Sequence, residues 1–494
     1  MTESTLPVDA PHRLLHSRYT RLARNTIDYW MLPDAAHLTE PEVLAAFDSA
    51  PWLEDASLQL YLHVPFCAQR CRFCAFSGGN SLEFREAQRY VRLVIEQMRD
   101  LWSRSSARGQ RIRSVNIGGG SPDLLGREIG PLLRAVRDLP GCDDDTEIAV
   151  EFTLSTTKRE FIDELAKYEV TKASFGIQSI DARVRRWMRQ PATVVGLDRV
   201  LDWIDGRIPV VNADLITGLP GQDLRTAQQD LRALTEDPRI HAVSSYVLTA
   251  GAAPAMLAAM QSGTVPPQPS PATQALMRVH TYTALLREGW LRRGTNTYVD
   301  PRRVAPEVLE RLAGNECIGS SHFEAFLLAA GPQAVSSVPG ARLENHVDVA
   351  TWTAAVERGE HPFHLAKCST QSQRDTALWV FPLRWEGLPR ERFEAMLQGG
   401  ALTQGQLRSL HRLVREGLVI ENNRGYELSC VGEVFMGHLV RELKSAAARR
   451  AVDDYIEEGE ALGRAIADGD VQDENPANNR QIADALLKRE ARFD

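Results

Sequence analysis

The sequence predicts an α/β fold: a partial (β/α)6 barrel of the TIM type over residues 56–300, then a mainly helical C-terminal domain with a winged-helix-like module over 301–445. Three observations predict it. Short apolar runs alternate with helical stretches between about residues 57 and 248, the pattern of parallel βαβ units, five or six of which form a full or partial barrel or a doubly wound sheet. Glycine clusters and polar residues fall at or just past the ends of those runs, where a barrel places its chemistry. Beyond about residue 300 the alternation fades and helical spacing takes over.

Residues 1–55 read as a polar leader with no strong pattern. SLQLYLHVPF (57–66) is a strand running into a loop, with alternation at Leu58, Leu60 and Leu62. Residues 83–104 carry apolar positions at helical spacing. RSVNI (113–117) is the next strand, followed by a glycine cluster and a helix over 127–139. Strands at 147–152, 172–177, 210–216 and 242–248 then alternate with helices at 158–168, 181–189, 195–205 and 224–234. Within 369–444 two amphipathic helices, 402–418 and 430–443, flank a turn-bearing hairpin at 419–428, the order of a winged helix. The tail 446–494 is charged and reads as exposed.

A chain of 494 residues calls for two or three domains. Apolar residues make up 43% and charged residues 25%, an ordinary soluble composition. The net charge of −8 gives no electrostatic footprint for nucleic acid, and the winged-helix-like helices carry no basic stripe. The basic N-terminal stretch is not followed by an apolar core, so no secretory signal is expected. The richest apolar stretch, Val243 to Met260, is broken by Ser, Gly and Pro, so no membrane span is expected either. The expected compartment is the cytoplasm.

Of seven cysteines, Cys67, Cys71 and Cys74 are crowded into eight residues, YLHVPFCAQRCRFCAF (61–76). That spacing is no secreted disulfide framework. It fits three loop thiols, three quarters of a zinc site, or the ligands of an iron–sulfur cluster. A zinc site needs a fourth ligand, and His63, two residues along the strand from Pro65, is poorly placed to be it. A 4Fe–4S cubane on three thiolates keeps one iron open, which makes three ligands useful.

Here the stretch resembles the radical S-adenosylmethionine (SAM) superfamily. More narrowly, Tyr61, His63, Pro65, Phe66 and the three cysteines resemble the subgroup typified by oxygen-independent coproporphyrinogen III oxidase. The resemblance implies a 4Fe–4S cluster on Cys67, Cys71 and Cys74 whose open iron chelates SAM, with reductive cleavage to methionine and a 5′-deoxyadenosyl radical. It implies SAM contacts at Tyr61 and His63, and packing of Phe76 against adenine. Gly118-Gly119-Gly120-Ser121 would approach the SAM amino group, although a triple glycine alone is only a tight turn. Glu151 and Gln178, at strand ends, would be further contacts, and Asp214 in NADLITGLPGQ would hold the ribose hydroxyls. The family's arginine falls on Arg189 after a one-residue deletion, or is replaced by Gln190; the distance to Asp214 favours Arg189. SSYVL (244–248) and IGSSHFEAF (318–326) resemble later landmarks. A reductant such as flavodoxin or ferredoxin and a small-molecule substrate are the implied partners.

Two departures bear on the reaction. The porphyrinogen oxidase usually has a fourth cysteine where this chain has Phe76. The haem-chaperone branch carries a His-Asn-x-x-Tyr-Trp signature that residues 304–317 lack. By elimination the resemblance points to class C methyltransferases and cyclopropanases, which take two SAM molecules and act on sp2 carbons of aromatic or heteroaromatic natural products. Tetrapyrrole chemistry, by oxidative decarboxylation or ring opening, is the alternative enzyme. A haem-carrying protein is the alternative of another class.

Overall fold

Side chains on a strand alternate between two faces, and the barrel strands of this protein use that alternation fully. The computed structural model describes residues 36, 37, 39–50, 58–74, 84–104, 108–248, 253–293, 296–312, 326–338, 341–368, 380, 382, 383 and 387–444. Phe76, most of the leader, the tail and all but the last residue of IGSSHFEAF lie outside them.

β1 (Ala36–His37) and α1 (Glu40–Asp48) precede the first barrel strand, β2 (Leu58–Val64). α2 (Phe84–Arg104) leads to β3 (Ile112–Gly119), and a 3-10 helix (Pro122–Glu128) with α3 (Ile129–Arg137) leads to β4 (Glu147–Phe152). α4 (Arg159–Lys167) leads to β5 (Lys172–Gln178), α5 (Ala182–Trp187) and α6 (Leu197–Ile204) to β6 (Val210–Thr217), and α7 (Leu224–Thr235) to β7 (Ala242–Val247). β2 to β7 pair in parallel, each with the next in the chain. This is the expected (β/α)6 core.

The outward face of these strands is apolar. Leu58, Leu60 and Leu62 of β2, Val115 and Ile117 of β3, and Phe175 and Ile177 of β5 are buried in one core. Against them α2 lays Ala87, Val91, Val94, Met98 and Leu101, spaced three to four residues apart along one helical face. The inward face is polar. Asn212 Nδ2 donates to Ser174 Oγ at 2.8 Å, Ser244 Oγ donates to Asn212 Oδ1 at 3.0 Å, and Lys172 Nζ pairs with Glu147 Oε1 at 2.7 Å.

The sheet continues past residue 300, where the sequence showed no further alternation. α8 (Pro254–Gln261), α9 (Pro271–Arg287), β8 (Leu291–Arg293), β9 (Thr297–Val299) and α10 (Pro306–Arg311) follow β7. Then come β10 (Phe326–Ala330), β11 (Val335–Val338), β12 (Ala341–Asn345), α11 (Val349–Glu357) and β13 (Phe363–Cys368). β10 adds to β2 as a seventh parallel strand, and β11 to β13 continue antiparallel. FLLAA in β10 is wholly buried, so it has no period to read, and periodicity alone cannot tell such a run from a helix. The sheet is open, ordered β1-β13-β12-β11-β10-β2-β3-β4-β5-β6-β7-β9-β8.

β14 (Leu388–Pro389), α12 (Arg390–Gln398), α13 (Gln404–Arg415), β15 (Val419–Asn422), β16 (Gly425–Leu428), α14 (Cys430–Val434) and α15 (Met436–Leu443) complete the described chain. They supply the helices and hairpin expected of a winged helix. Their core takes in Ala275 and Val279 of α9, and Arg278 Nη2 donates to Glu433 O at 3.0 Å, so the module is bolted to the barrel's helical layer. Among the described residues no helix is long and apolar enough to cross a membrane.

One buried side chain of α2 ties the end of β10 to α11. Gln97 Oε1 accepts from Gly331 N at 2.9 Å and from Trp352 Nε1 at 3.0 Å. Gln97→Leu would leave two buried donors without an acceptor, a loss of about 2–5 kcal/mol. A lowered urea midpoint with unchanged slope is the expected result; an unchanged midpoint would show that the tie is not needed.

Candidate functional site

The cysteine loop leaves the sheet at a fixed point. Beyond the last paired residues of β2 and β3, Gly120 N donates to Val64 O and Ser121 N to Phe66 O, both at 2.6 Å. Cys67 therefore emerges against the glycine crest, and Ser121 Oγ lies 3.8 Å from its sulfur. The loop then crosses to the turn after α5. Arg72 N donates to Met188 O at 3.1 Å and Arg72 Nη1 to Trp187 O at 2.7 Å. Gln190 Nε2 lies 3.8 Å from Cys71 Sγ, and Cys74 N closes the loop on Cys71 O at 3.2 Å.

Burial pushes the Cys71 thiol up to about 12, and the neighbouring Cys74 and Cys67 add to the rise. Burial raises Cys67 as well, against the opposing bond from Ser121. Three thiols that hinder one another's ionisation suit a cationic centre, because a metal takes the place of the proton. Among the described residues no three His, Cys, Asp or Glu side chains close on one point as ligands of a single metal ion would. The thiols share one electrostatic neighbourhood, and as a donor set they fit an iron–sulfur cluster.

The glycine crest is hemmed in on every side. A Cβ on Gly118 would lie 2.3 Å from Glu151 Oε2. On Gly119, whose φ is +103°, it would meet the His63 ring at 2.4 Å, and on Gly120 it would meet Phe66 O at 2.5 Å. The space that the sequence reserved for a ligand alone is thus shared with Glu151 and His63. His63 is buried, which lowers its pKa to about 4, so it is neutral at pH 7; Nδ1 lies 2.9 Å from the Tyr61 hydroxyl.

Two carboxylates face this mouth. Glu151 accepts from Gly119 N and from Asn116 Nδ2, each at 3.3 Å, and burial raises its pKa against those bonds. Asp214 accepts from Asn212 Nδ2 at 2.8 Å. Burial, then repulsion from Glu151, raises Asp214 to about 7, while Lys172 on the inner face pulls both carboxylates down. Between them stands Gln178, with φ +66°. Its amide folds back over Gly176, the residue in register with Asp214. A non-glycine residue in this region is strained, and such strain gathers at functional sites.

The structure therefore brings together Cys67, Cys71 and Cys74 with Ser121 and Gln190. It also brings Tyr61, His63 and Gly118 to Gly120 together with Glu151, and Glu151 with Asp214 and Gln178. Arg189 lies in the turn beside Gln190, with φ +58°. Asn116, Thr153, Lys172 and Asn212 were not singled out in the sequence. Asn116, Lys172 and Asn212 sit at inward positions of β3, β5 and β6, so strand alternation could have found them. Thr153, whose Oγ1 lies 2.7 Å from Ser121 Oγ, follows β4 and carries no such signal.

The raised pKa of Asp214 has a testable consequence. Its folded value, about 7, lies above its ordinary 3.8. The folded state favours the protonated form, so stability falls as pH rises between those values and the loss is complete above 7. Asp214→Asn keeps an acceptor for Asn212 and removes the charge. It should raise Tm more at pH 8 than at pH 5; an equal change at both, or a lowered Tm at pH 8, would contradict this electrostatic reading.

Residues 61–234 match the model of the Radical SAM superfamily. The chain is 29% identical over 218 residues to the oxygen-independent coproporphyrinogen III oxidase of Paracoccus denitrificans, covering 42% of this chain and 48% of that one. It is 30% identical over 201 residues to the heme chaperone HemW of Haemophilus influenzae, covering 39% and 51%. It is 28% identical over 313 residues to the anaerobilin synthase of Escherichia coli O157:H7, covering 62% and 66%. The matched segment is thus about half of the first two relatives and just under two thirds of the third. The structure of the coproporphyrinogen III oxidase HemN of Escherichia coli superposes with a TM-score of 0.69 at 18% identity, covering 85% of this chain and 96% of that one, which shows a common fold. The family match thus spans residues 61–234, about a third of the chain, and the shared fold extends over most of it.

Proposed function

We propose that the protein is an enzyme that cleaves SAM reductively at a 4Fe–4S cluster held by Cys67, Cys71 and Cys74. The observation that carries this reading is that three partly buried thiols follow β2 beside a glycine crest at the end of β3, and that this crest meets Glu151, which shares its electrostatic surroundings with Asp214, in the same parallel sheet. When bound, the cluster supplies the electron that splits SAM into methionine and a 5′-deoxyadenosyl radical able to abstract hydrogen. Glu151 offers an acceptor for the SAM amino group beside the crest of Gly118, Gly119 and Gly120. Asp214 accepts from the ribose hydroxyls, and the Gln178 amide supplies a donor and an acceptor between the two carboxylates. Tyr61, His63, Ser121 and Arg189 border this site, and the Phe76 ring would cover adenine. A small electron carrier such as flavodoxin or ferredoxin would reduce the cluster, and the cytoplasm suits such a cluster.

For the substrate, a tetrapyrrole is the first reading. The names of the three relatives share that chemistry: coproporphyrinogen, heme and anaerobilin. The span of the anaerobilin synthase match, 62% of this chain, favours oxidative or ring-opening chemistry. Methyl transfer or cyclopropanation at an sp2 carbon, using a second SAM, is the second reading. It is favoured by Phe76 standing where the porphyrinogen oxidase usually has a fourth cysteine.

The test is anaerobic reconstitution with iron and sulfide, then SAM and dithionite with coproporphyrinogen III or haem, followed by mass spectrometry. Wild type should form 5′-deoxyadenosine and Cys71→Ala should form at least about 100-fold less. S-adenosylhomocysteine beside 5′-deoxyadenosine marks the methyl-transfer route, and a changed tetrapyrrole mass without it marks the first reading. Stoichiometric haem binding with no 5′-deoxyadenosine would sink both in favour of a carrier.

A further inference from the structure

The turn after α5 packs against the cysteine loop. Arg185 is buried and holds the turn from inside: its Nη1 donates to Ile177 O at 2.8 Å and to Ser179 O at 2.9 Å, and its Nε donates to Pro191 O at 2.7 Å. The turn folds back through Arg189 in the left-handed region, and Gln190 N donates to Arg185 O at 2.9 Å. Two bonds from Arg72 tie the same turn to the cysteine loop. Gln190 is thereby aimed at Cys71, with Nε2 at 3.8 Å from the sulfur. Its Oε1 is buried and has no hydrogen-bond partner. The oxygen therefore does not fix the amide's orientation, and the contact to sulfur is left to do so. A thiolate only accepts hydrogen bonds, so with Cys71 bound to iron the amide must present its N–H. Ser121 lies beside the Cys67 sulfur rather than that of Cys71, and its hydroxyl is shared with Thr153.

We propose that Gln190 is a positioning residue that sets the reduction potential of the cluster by donating its amide N–H to the Cys71 sulfur. Hydrogen bonds to cluster sulfurs are one of the protein's levers on potential. The bond stabilises the more negative, reduced cluster and so raises its potential. Removing it makes the cluster harder to reduce. This inference rests on the cluster reading above.

The experiment is an anaerobic redox titration of the reconstituted protein, followed by electron paramagnetic resonance. Wild type is compared with Gln190→Met, which keeps the volume without a donor, and with Gln190→Glu, which replaces the donor by a charge. Iron and sulfide are counted in each. The expected result is full cluster content in all three. The reduction equilibrium should shift about ten-fold against the reduced state in Gln190→Met, about 59 mV for one electron, and further in Gln190→Glu. Full clusters with the wild-type potential in both variants would overturn the proposal. So would a wild type that assembles its cluster while Gln190→Met assembles none, because the residue would then serve assembly. A wild type that takes up no cluster would instead overturn the reading on which the inference rests.

Discussion

Two backbone hydrogen bonds beyond the end of the β2–β3 ladder hold the site in place. Through Gly120 N to Val64 O and Ser121 N to Phe66 O, the chain after β2 is pinned to the chain after β3 before the first cysteine appears. The bonds need the two backbones to approach where a Cβ on Gly120 would overlap Phe66 O. Cys67 then starts from a rigid edge, and the loop's far side is anchored on Met188 and Trp187 through Arg72. A cluster that must pass an electron to a bound ligand needs this kind of support, because a site is only as well placed as what holds it.

The second constraint is electrical. The inner face of the barrel gathers Glu147, Glu151 and Asp214 around one lysine, Lys172. Lys172 is matched closely by Glu147, which leaves the two carboxylates at the mouth short of positive charge. Burial raises both, and repulsion from Glu151 adds to the rise at Asp214, so the ligand-free mouth is destabilised by the groups that a cationic ligand would satisfy. This is the usual exchange of stability for function at a binding site. SAM, with its sulfonium and ammonium, is a cation of the needed kind.

Much of this was legible in the sequence, for physical reasons. The six barrel strands alternate apolar and polar residues, so they announce themselves and their inward positions. The cysteines announce themselves by spacing. FLLAA of β10 was not legible, because a strand buried on both faces has no period. The crowding of the crest by His63 and Glu151 was not legible either, since it joins β2, β3 and β4 through space. Gln190 stood in the sequence only as a rival to Arg189 for one ligand contact. Its approach to Cys71 depends on a left-handed residue at position 189, which local propensity disfavours for arginine.

The central claim is that three thiolates leave one iron of a cluster open to SAM. Electron–nuclear double resonance on the reduced, reconstituted protein tests it most directly, using SAM labelled with 15N at its amino group and 17O at its carboxylate. The account predicts hyperfine coupling from both nuclei, present with SAM and lost when unlabelled SAM displaces it. A full, reducible cluster whose spectrum SAM leaves unchanged would contradict the account.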